Sequence, residues 1–252
     1  MHNLALKKNF ISFIQESIID FFLTCAVDRF VTVSKSAALS FSTSSRLYNS
    51  KVSYIYNGVD NKKINNKKNI KLLKQMRINK NDKLCLILAT YEKRKGHDFL
   101  LNAFLEVSKK IPNSKLLISG FGSKEEKKYI RSLISSLKLS KSVFLTDFQE
   151  DIDTLIHRSS VVILPSQKLE SFGYVLIEAM LRKKPTIGTN IGGIPEVIKN
   201  NSTGYIVDKS DVSMLSKKII TILSDPKIAC IFGIEGNKLY LKNFTAKKMS
   251  EN

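Results

Sequence analysis

The chain has 252 residues, enough for one large domain or one domain with part of another, and its 43% hydrophobic and 25% charged content belongs to a globular protein. Three widely spaced cysteines, Cys25, Cys85 and Cys230, exclude a disulfide framework and a paired-cysteine zinc site, and they fit a reducing, cytoplasmic compartment. A formal charge of +19 raises nucleic acid as a partner, but the lysines are scattered among asparagines with no zinc-finger spacing and no interleaved aromatics, so nucleic acid is not assigned.

Taken in chain order, "FISFIQESIIDFFLTCAV" carries Gln15, Glu16 and Asp20, too polar for a spanning helix, and reads as a buried helix with a thin polar side and no signal peptide. A strand "RFVTVS", a helix "AALSFSTSSRLY" and a strand "VSYIYNGVD" with a turn at Asn57-Gly58 complete residues 1–60. The 61–81 stretch is a basic, solvated linker with one helical turn; its eight Lys/Arg over 61–80 meet no acid. A cationic surface of this kind suits anionic lipid headgroups or a phosphate-rich acceptor, although a compositional bias accounts for the lysines as well.

From residue 82 short β-branched runs alternate with amphipathic helical patterns. "KLCLILAT" is followed by "HDFLLNAFLEVSKKI", "SKLLISG" by "EEKKYIRSLISSLK", and "SVFLTD" by "DIDTLIHRS". Then come "VVILPS" and "FGYVLIEAMLRK", "PTIGTN" and "IPEVIKN", and "TGYIVD" and "DVSMLSKKIITILS", with a last helix after Pro226. This is the pattern of an α/β doubly wound parallel sheet, whose ligands sit outside the carboxyl ends of the strands. Those ends are Thr90, Gly120, Asp147, Ser166 and Asn190. Residues 82–252 then form one complete domain, preceded by a remnant of a second.

The segment "PSQKLESFGYVLIEAM" holds the chemistry. Glu170 falls in a loop over the carboxyl edge, and Glu178 about 8 Å along a helix that begins near Phe172 or Gly173. The amides of Phe172, Gly173 and Tyr174 are helix-start donors suited to a diphosphate, with a carboxylate on either side for sugar hydroxyls. By spacing alone, two acids eight residues apart are more often a solvated loop acid and a surface helix acid. Gly120 and Gly122 in "ISGFGS" suit a tight turn near base or phosphate, and an ordinary strand-to-helix turn accounts for them equally. His97 and His157 lack a partner at a diagnostic spacing and read as surface or helix residues.

The run from Val161 to Asp208, "VVILPSQKLESFGYVLIEAMLRKKPTIGTNIGGIPEVIKNNSTGYIVD", closely resembles the nucleotide-binding half of retaining glycosyltransferases of the GT-B fold, family 4 type. The Glu, seven residues, Glu pattern after "PS", the "EAM" helix, the "GGIPE" turn and the "TGYIVD" strand occur in order; "YEKRKGHDFLLNAF", "LLISGFG" and "VSYIYNGVD" extend the likeness upstream. The resemblance implies a Rossmann-like donor-binding domain over 82–252 and a remnant of the acceptor-side domain over 1–60. It implies Glu170 at the donor sugar, Glu178 on the ribose, and Lys95 on the diphosphate. Lys95 reads otherwise as an exposed helix-start lysine. Family members usually carry an arginine five residues before that lysine; Thr90 stands there, and Arg94 is the substitute. The substrates implied are a nucleotide-diphosphate sugar and a glycan or lipid-linked acceptor, with no cofactor and no metal. The setting implied is cell-surface polysaccharide or lipopolysaccharide assembly, in the cytoplasm or peripheral at the inner membrane face. The short first part leaves open a truncated enzyme, a split enzyme completed by a separate chain, or a binding module. The "ESFG" and "EAM" pattern disfavours an epimerase of the same fold.

Overall fold

The computed structural model describes residues 21, 22, 25–44, 51–60 and 67–251. The helix expected over 10–27 lies largely outside them, and Phe21 and Phe22 of that stretch are exposed rather than buried. The chain divides into two compact units between Ile55 and Tyr56. In the first, β1 (Phe30–Thr32) and β2 (Val52–Tyr54) pair in parallel with Phe30 opposite Val52, joined through α1 (Lys35–Ser44). Ser34 Oγ accepts from the Ala37 amide at 3.0 Å at the start of α1.

The second unit is built on six parallel strands, β3 (Lys83–Leu88), β4 (Ser114–Gly120), β5 (Val143–Asp147), β6 (Val161–Leu164), β7 (Thr186–Thr189) and β8 (Gly204–Val207), in the spatial order β5-β4-β3-β6-β7-β8. Leu86 is registered against Leu117 on one side and Val162 on the other. Winding therefore reverses between β3 and β6, and the crevice at their carboxyl ends is the topological switch point. Every residue of β6 is buried, as a strand covered on both faces must be.

Helices α3 (His97–Lys110), α4 (Lys124–Ser136) and α8 (Val212–Ser224) cover one face, closing a core with Cys85, Ile87, Leu116, Ile118 and Ile163. The alternate residues Leu84, Leu86, Leu117 and Val162 are buried on the other face, where α5 (Asp153–Arg158) and α6 (Tyr174–Leu181) pack. A short α7 (Ile194–Val197) follows β7, with Pro195 second in the helix. Helix α9 (Pro226–Asn243) is capped by Asp225, whose carboxylate accepts from the Lys227 and Ile228 amides, and α10 (Ala246–Ser250) ends the described chain. Asn237 on α9 donates to the Met180 and Leu181 carbonyls at 3.2 and 3.1 Å, satisfying the open end of α6.

One feature differs from the expected linker over 61–81. Residues 67–75 form a helix of nine residues, α2 (Lys67–Gln75), longer than one turn, and Leu73 and Ile78 are buried; residues 61–66 lie outside the described chain. The helix closes where Arg77 takes a left-handed conformation (φ 54°) and the Ile78 amide returns to the Leu73 carbonyl at 2.9 Å. The hinge Tyr56–Asp60 also belongs to the second unit. There the Val59 amide donates to the Phe244 carbonyl at 2.9 Å, and the Tyr240 hydroxyl donates to the Val59 carbonyl at 2.6 Å.

Candidate functional site

The site is assembled from two loops that meet at the switch point. After β3 the chain runs through Thr90 and Tyr91 into a 3-10 turn, Lys93–Lys95, and enters α3 through Gly96. After β6 it runs from Pro165 to Gly173 before α6. The Gln167 amide donates to the Arg94 carbonyl at 2.7 Å, locking the loops together. Gly96 makes this approach feasible: its φ is +74°, and a Cβ there would lie 2.1 Å from the Pro165 carbonyl oxygen.

This contact brings Lys95 to Glu170, 75 positions away in sequence. Lys95 Nζ lies 2.7 Å from Glu170 Oε2, with side-chain exposures of 14% and 12%. The same oxygen accepts from Ser166 Oγ at 2.8 Å. A carboxylate held by an ammonium and a hydroxyl has a fixed direction. The Glu170 carbonyl accepts from the Gly193 amide at 2.9 Å. The "GG" turn is needed for that: a Cβ on Gly192 (φ +54°) would lie 1.8 Å from the Glu170 oxygen, and one on Gly193 2.4 Å from the Ser171 oxygen.

Helix α6 begins after Gly173 (φ 93°), which supplies no side-chain cap. The Phe172, Gly173 and Tyr174 amides donate to no backbone acceptor among the described residues, so the positive end of the helix faces the crevice. Phe172 itself is buried, its ring 5.8 Å from those of Tyr56 and Phe244, and acts as an anchor for the start of the helix. The Tyr174 hydroxyl donates to the Gly58 carbonyl at 3.2 Å.

Glu178, one turn further along α6, borders two adjoining cavities. One, of about 400 Å³, is lined by Leu88 to Thr90, Ser119 to Phe121, Phe148 to Glu150 and the start of α6. The other, of about 370 Å³, is lined by Gly58 to Asp60, Glu150, Ile152, Tyr174 and Arg182 among others. Burial pushes the Glu178 carboxyl up to about 7, opposed by the Arg182 charge. Arg182 is itself paired with Asp153, and Glu178 has no hydrogen-bond partner among the described residues.

Arg94 and Thr90 both hold Glu92, and Thr90 also lines the 400 Å³ cavity. Arg94 Nε and Nη2 donate to the Glu92 carboxylate at 2.6 and 3.1 Å, Nη1 donates to the Leu169 carbonyl at 2.9 Å, and Thr90 Oγ1 donates to Glu92 at 2.7 Å. Arg94 thus braces the 90–95 loop against the 165–173 loop. Leu169 is held left-handed (φ 47°), which sets its carbonyl toward the guanidinium. Gly120 and Gly122 serve close approach: a Cβ on Gly120 would lie 1.8 Å from the Ala89 oxygen, and one on Gly122 2.8 Å from Tyr91 Cβ.

Four residues of the site were not singled out from sequence. His97, expected as a surface or helix residue, is 3% exposed; its Nε2 lies 2.8 Å from the Thr90 carbonyl, and burial holds its pKa below the ordinary value. Its place on the buried stripe with Leu100, Leu101 and Phe104 was the available signal. Ser166 was named only as a strand end. Phe121 and Phe148, about 60% exposed and packed edge to face at 6.2 Å, flank the 400 Å³ cavity. Each aromatic lies just past the carboxyl end of a strand, a pattern that marks a lined crevice rather than core.

Residues 68–239 match the family described as glycosyl transferases group 1, which is more than half of the chain. The chain belongs to that family. Among curated relatives of this group 1 glycosyltransferase, N-acetyl-alpha-D-glucosaminyl L-malate synthase of Bacillus anthracis is 30% identical over 178 residues, covering 71% of this chain and 46% of the relative. Capsular polysaccharide biosynthesis glycosyltransferase CapM of Staphylococcus aureus is 29% identical over 155 residues, covering 62% and 40%. The chain spans less than half the length of these two relatives. The crystal structure of Anabaena Alr3699/HepE with UDP and glucose superposes with a TM-score of 0.84 at 21% identity, over 93% of this chain and 64% of that one. A glycosyltransferase from Rickettsia africae gives 0.84 at 23% identity, over 100% and 66%. The six-stranded unit is thus a GT-B Rossmann-like domain. Among the described residues, no helix is long and apolar enough to cross a membrane, and no three His, Cys, Asp or Glu side chains form a metal set.

Proposed function

We propose that this glycosyltransferase moves a sugar from a nucleoside-diphosphate donor to a hydroxyl of a glycan or lipid-linked acceptor, with retention at the anomeric carbon. The observation that carries the reading is the Lys95–Glu170–Ser166 cluster, set beside the uncapped start of α6 and the cavity bordered by Glu178. The nucleobase enters between Phe121 and Phe148, and Glu178 accepts from the ribose hydroxyls. The Phe172–Tyr174 amides take the diphosphate, and Lys95 exchanges from Glu170 to the β-phosphate as charge develops on the leaving group. Glu170, released from the ammonium and still held by Ser166, faces the donor sugar. The acceptor hydroxyl attacks on the face from which the diphosphate departs, and its proton passes to the departing phosphate oxygen. These amides and Lys95 supply the positive charge, so the reading assigns no metal.

The relatives are more than twice the length of their matched segments, and the reading assigns the acceptor side to a further domain, in the same chain or a separate one. The CapM likeness supports cell-surface polysaccharide assembly; lipopolysaccharide as the related case and the cytoplasmic face of the membrane are part of the proposal. A second reading, a nucleotide-sugar-binding module without transfer, rests on the donor side being built wholly within Tyr56–Asn252. Calorimetric titration with UDP, GDP and ADP tests both. One of them binds in the micromolar to millimolar range, about −8 to −4 kcal/mol. No heat from any of the three would sink both readings, and sugar transfer on adding a donor and acceptor pair separates the first from the second.

A further inference from the structure

Phe121 and Phe148 flank the 400 Å³ cavity, but they do not choose among nucleobases. Every base has a face that stacks on an aromatic ring. The backbone of the lining residues does not choose either, since it offers amides and carbonyls in equal number. Selection falls to the polar side chains of the wall.

Those side chains are one-sided in what they leave open. No lysine, arginine or histidine lines the cavity. Its neutral polar side chains spend their hydrogens on the protein. Thr90 Oγ1 donates to the Glu92 carboxylate at 2.7 Å, and the Tyr174 hydroxyl to the Gly58 carbonyl at 3.2 Å. Ser119 Oγ and Gln149 Nε2 both donate to the Asp147 carbonyl, at 3.2 and 3.0 Å. The second Gln149 hydrogen has Thr146 Oγ1 at 3.4 Å. What remains is acceptors: the Glu178 and Glu150 carboxylates accept no hydrogen bond among the described residues. A ligand that suits this wall brings donors.

With Glu178 assigned to the ribose, Glu150 is left for the base. Glu150 stands just before α5, yet the cap there is Asp151, whose carboxylate accepts from the Asp153 amide at 3.1 Å. An unpaired surface glutamate is ordinary. Glu150 differs in bordering both the 400 Å³ cavity and the adjoining 370 Å³ one, where the side-chain donors are already taken.

We propose that Glu150 reads the base, and that the donor is a guanosine-diphosphate sugar. This rests on the donor reading above and narrows it. A carboxylate presents two acceptor oxygens side by side. Guanine alone among the common bases sets two donors next to each other on one edge, N1–H and the 2-amino group. Two parallel charge-assisted bonds then form, which are strong and directional. Uracil sets its single N3–H between two carbonyls, so one carboxylate oxygen would face a carbonyl oxygen. Adenine and cytosine set an amino group beside a ring nitrogen that is itself an acceptor, with the same conflict.

The test is the affinity of the full chain for GDP, IDP, UDP and ADP, each measured by calorimetry. GDP should bind about tenfold more tightly than each of the others, within the discrimination that a bidentate contact gives. IDP differs from GDP only in lacking the 2-amino group, so that comparison needs no change in the protein. In Glu150→Gln one acceptor becomes a donor, and the ratio of GDP to IDP affinity should fall to near one. Circular dichroism checks that this variant is folded, and the wild-type comparison stands if it is not. UDP, ADP or IDP binding as tightly as GDP would overturn the guanine assignment and leave the donor reading in place. A GDP preference that survives in folded Glu150→Gln would take the role from Glu150. No heat from any of the four would remove the donor reading, and this inference with it.

Discussion

Glu178 is the residue whose environment works hardest against the fold. Its carboxyl is raised from 4.5 to about 7 by burial, so between those values the native chain holds a proton that the unfolded chain has released. Stability attributable to this group is therefore full below about pH 4.5 and is lost as pH rises through 7. Glu178→Gln, which cannot ionise, should match the wild type near pH 4 and exceed it at pH 8 by on the order of 1–3 kcal/mol. Urea midpoints at the two pH values measure this, and a difference independent of pH would contradict it. The benefit should come with a loss of function, since the carboxylate is what a ribose would meet. For binding, Glu178→Ala should weaken a free nucleoside diphosphate by about 1.5–3 kcal/mol. Glu170→Ala should leave that affinity nearly unchanged and abolish turnover of the intact donor. Equal losses for both variants would undo the roles. The two glutamates and Lys95 are singled out by the resemblance, since their spacing alone fits ordinary surface residues as well. His97, Ser166, Phe121 and Phe148 are not, because their roles depend on which loops meet, and that is fixed by the fold rather than by local pattern.

Among the elements, the alternation of β-branched runs and amphipathic helices was fully readable, because a strand buried on both faces leaves a short, continuous apolar run. Helix α2 was not: its lysines dominate the composition, and its hold on the fold rests on Leu73 and Ile78, two side chains whose burial is decided by what they meet. The loops of the site are held by glycines whose need is equally tertiary. Gly192 combines a positive φ with a Cβ position 1.8 Å from the Glu170 oxygen, so Gly192→Ala must displace the very loop that carries Glu170. It should cost more than about 1 kcal/mol, beyond the strain of the left-handed backbone alone. A urea titration should give a lower midpoint with an unchanged slope, and the Lys95–Glu170 pair should be broken in the crystal structure of the variant. A midpoint within error of the wild type would mean that the loop yields freely and that the two glycines do not position the carboxylate.

At the scale of the whole molecule, the division of the chain makes a prediction of its own. The second compact unit begins at Tyr56, not at the first strand of the sheet, and the residues before that strand are bound into it. Tyr56 packs its ring against Phe172 and Phe244 at 5.8 and 5.6 Å, Val59 is buried and bonds the Phe244 carbonyl, and the Tyr240 hydroxyl depends on the Val59 carbonyl. Leu73 and Ile78 are buried from α2 and its close. A fragment of residues 56–252 keeps all of this and should melt cooperatively by itself. A fragment of residues 82–252 keeps every strand of the six-stranded sheet but loses three buried aliphatic side chains, each contributing about 1.5–3 kcal/mol. It also leaves the Tyr240 hydroxyl without the Val59 carbonyl and Phe244 without the Tyr56 ring. Its melting midpoint should fall by roughly 10 °C or more relative to 56–252, and the loss should begin at α9 and α10, which hydrogen exchange would register as early opening of those helices. The consequence reaches the site, because Phe172, freed from Tyr56 and with Phe244 loosened, no longer anchors the start of α6. The shorter fragment should then bind nucleoside diphosphate more weakly than the longer one. Equal midpoints for the two fragments would show that the sheet alone sets the stability and that the hinge residues merely lie on it.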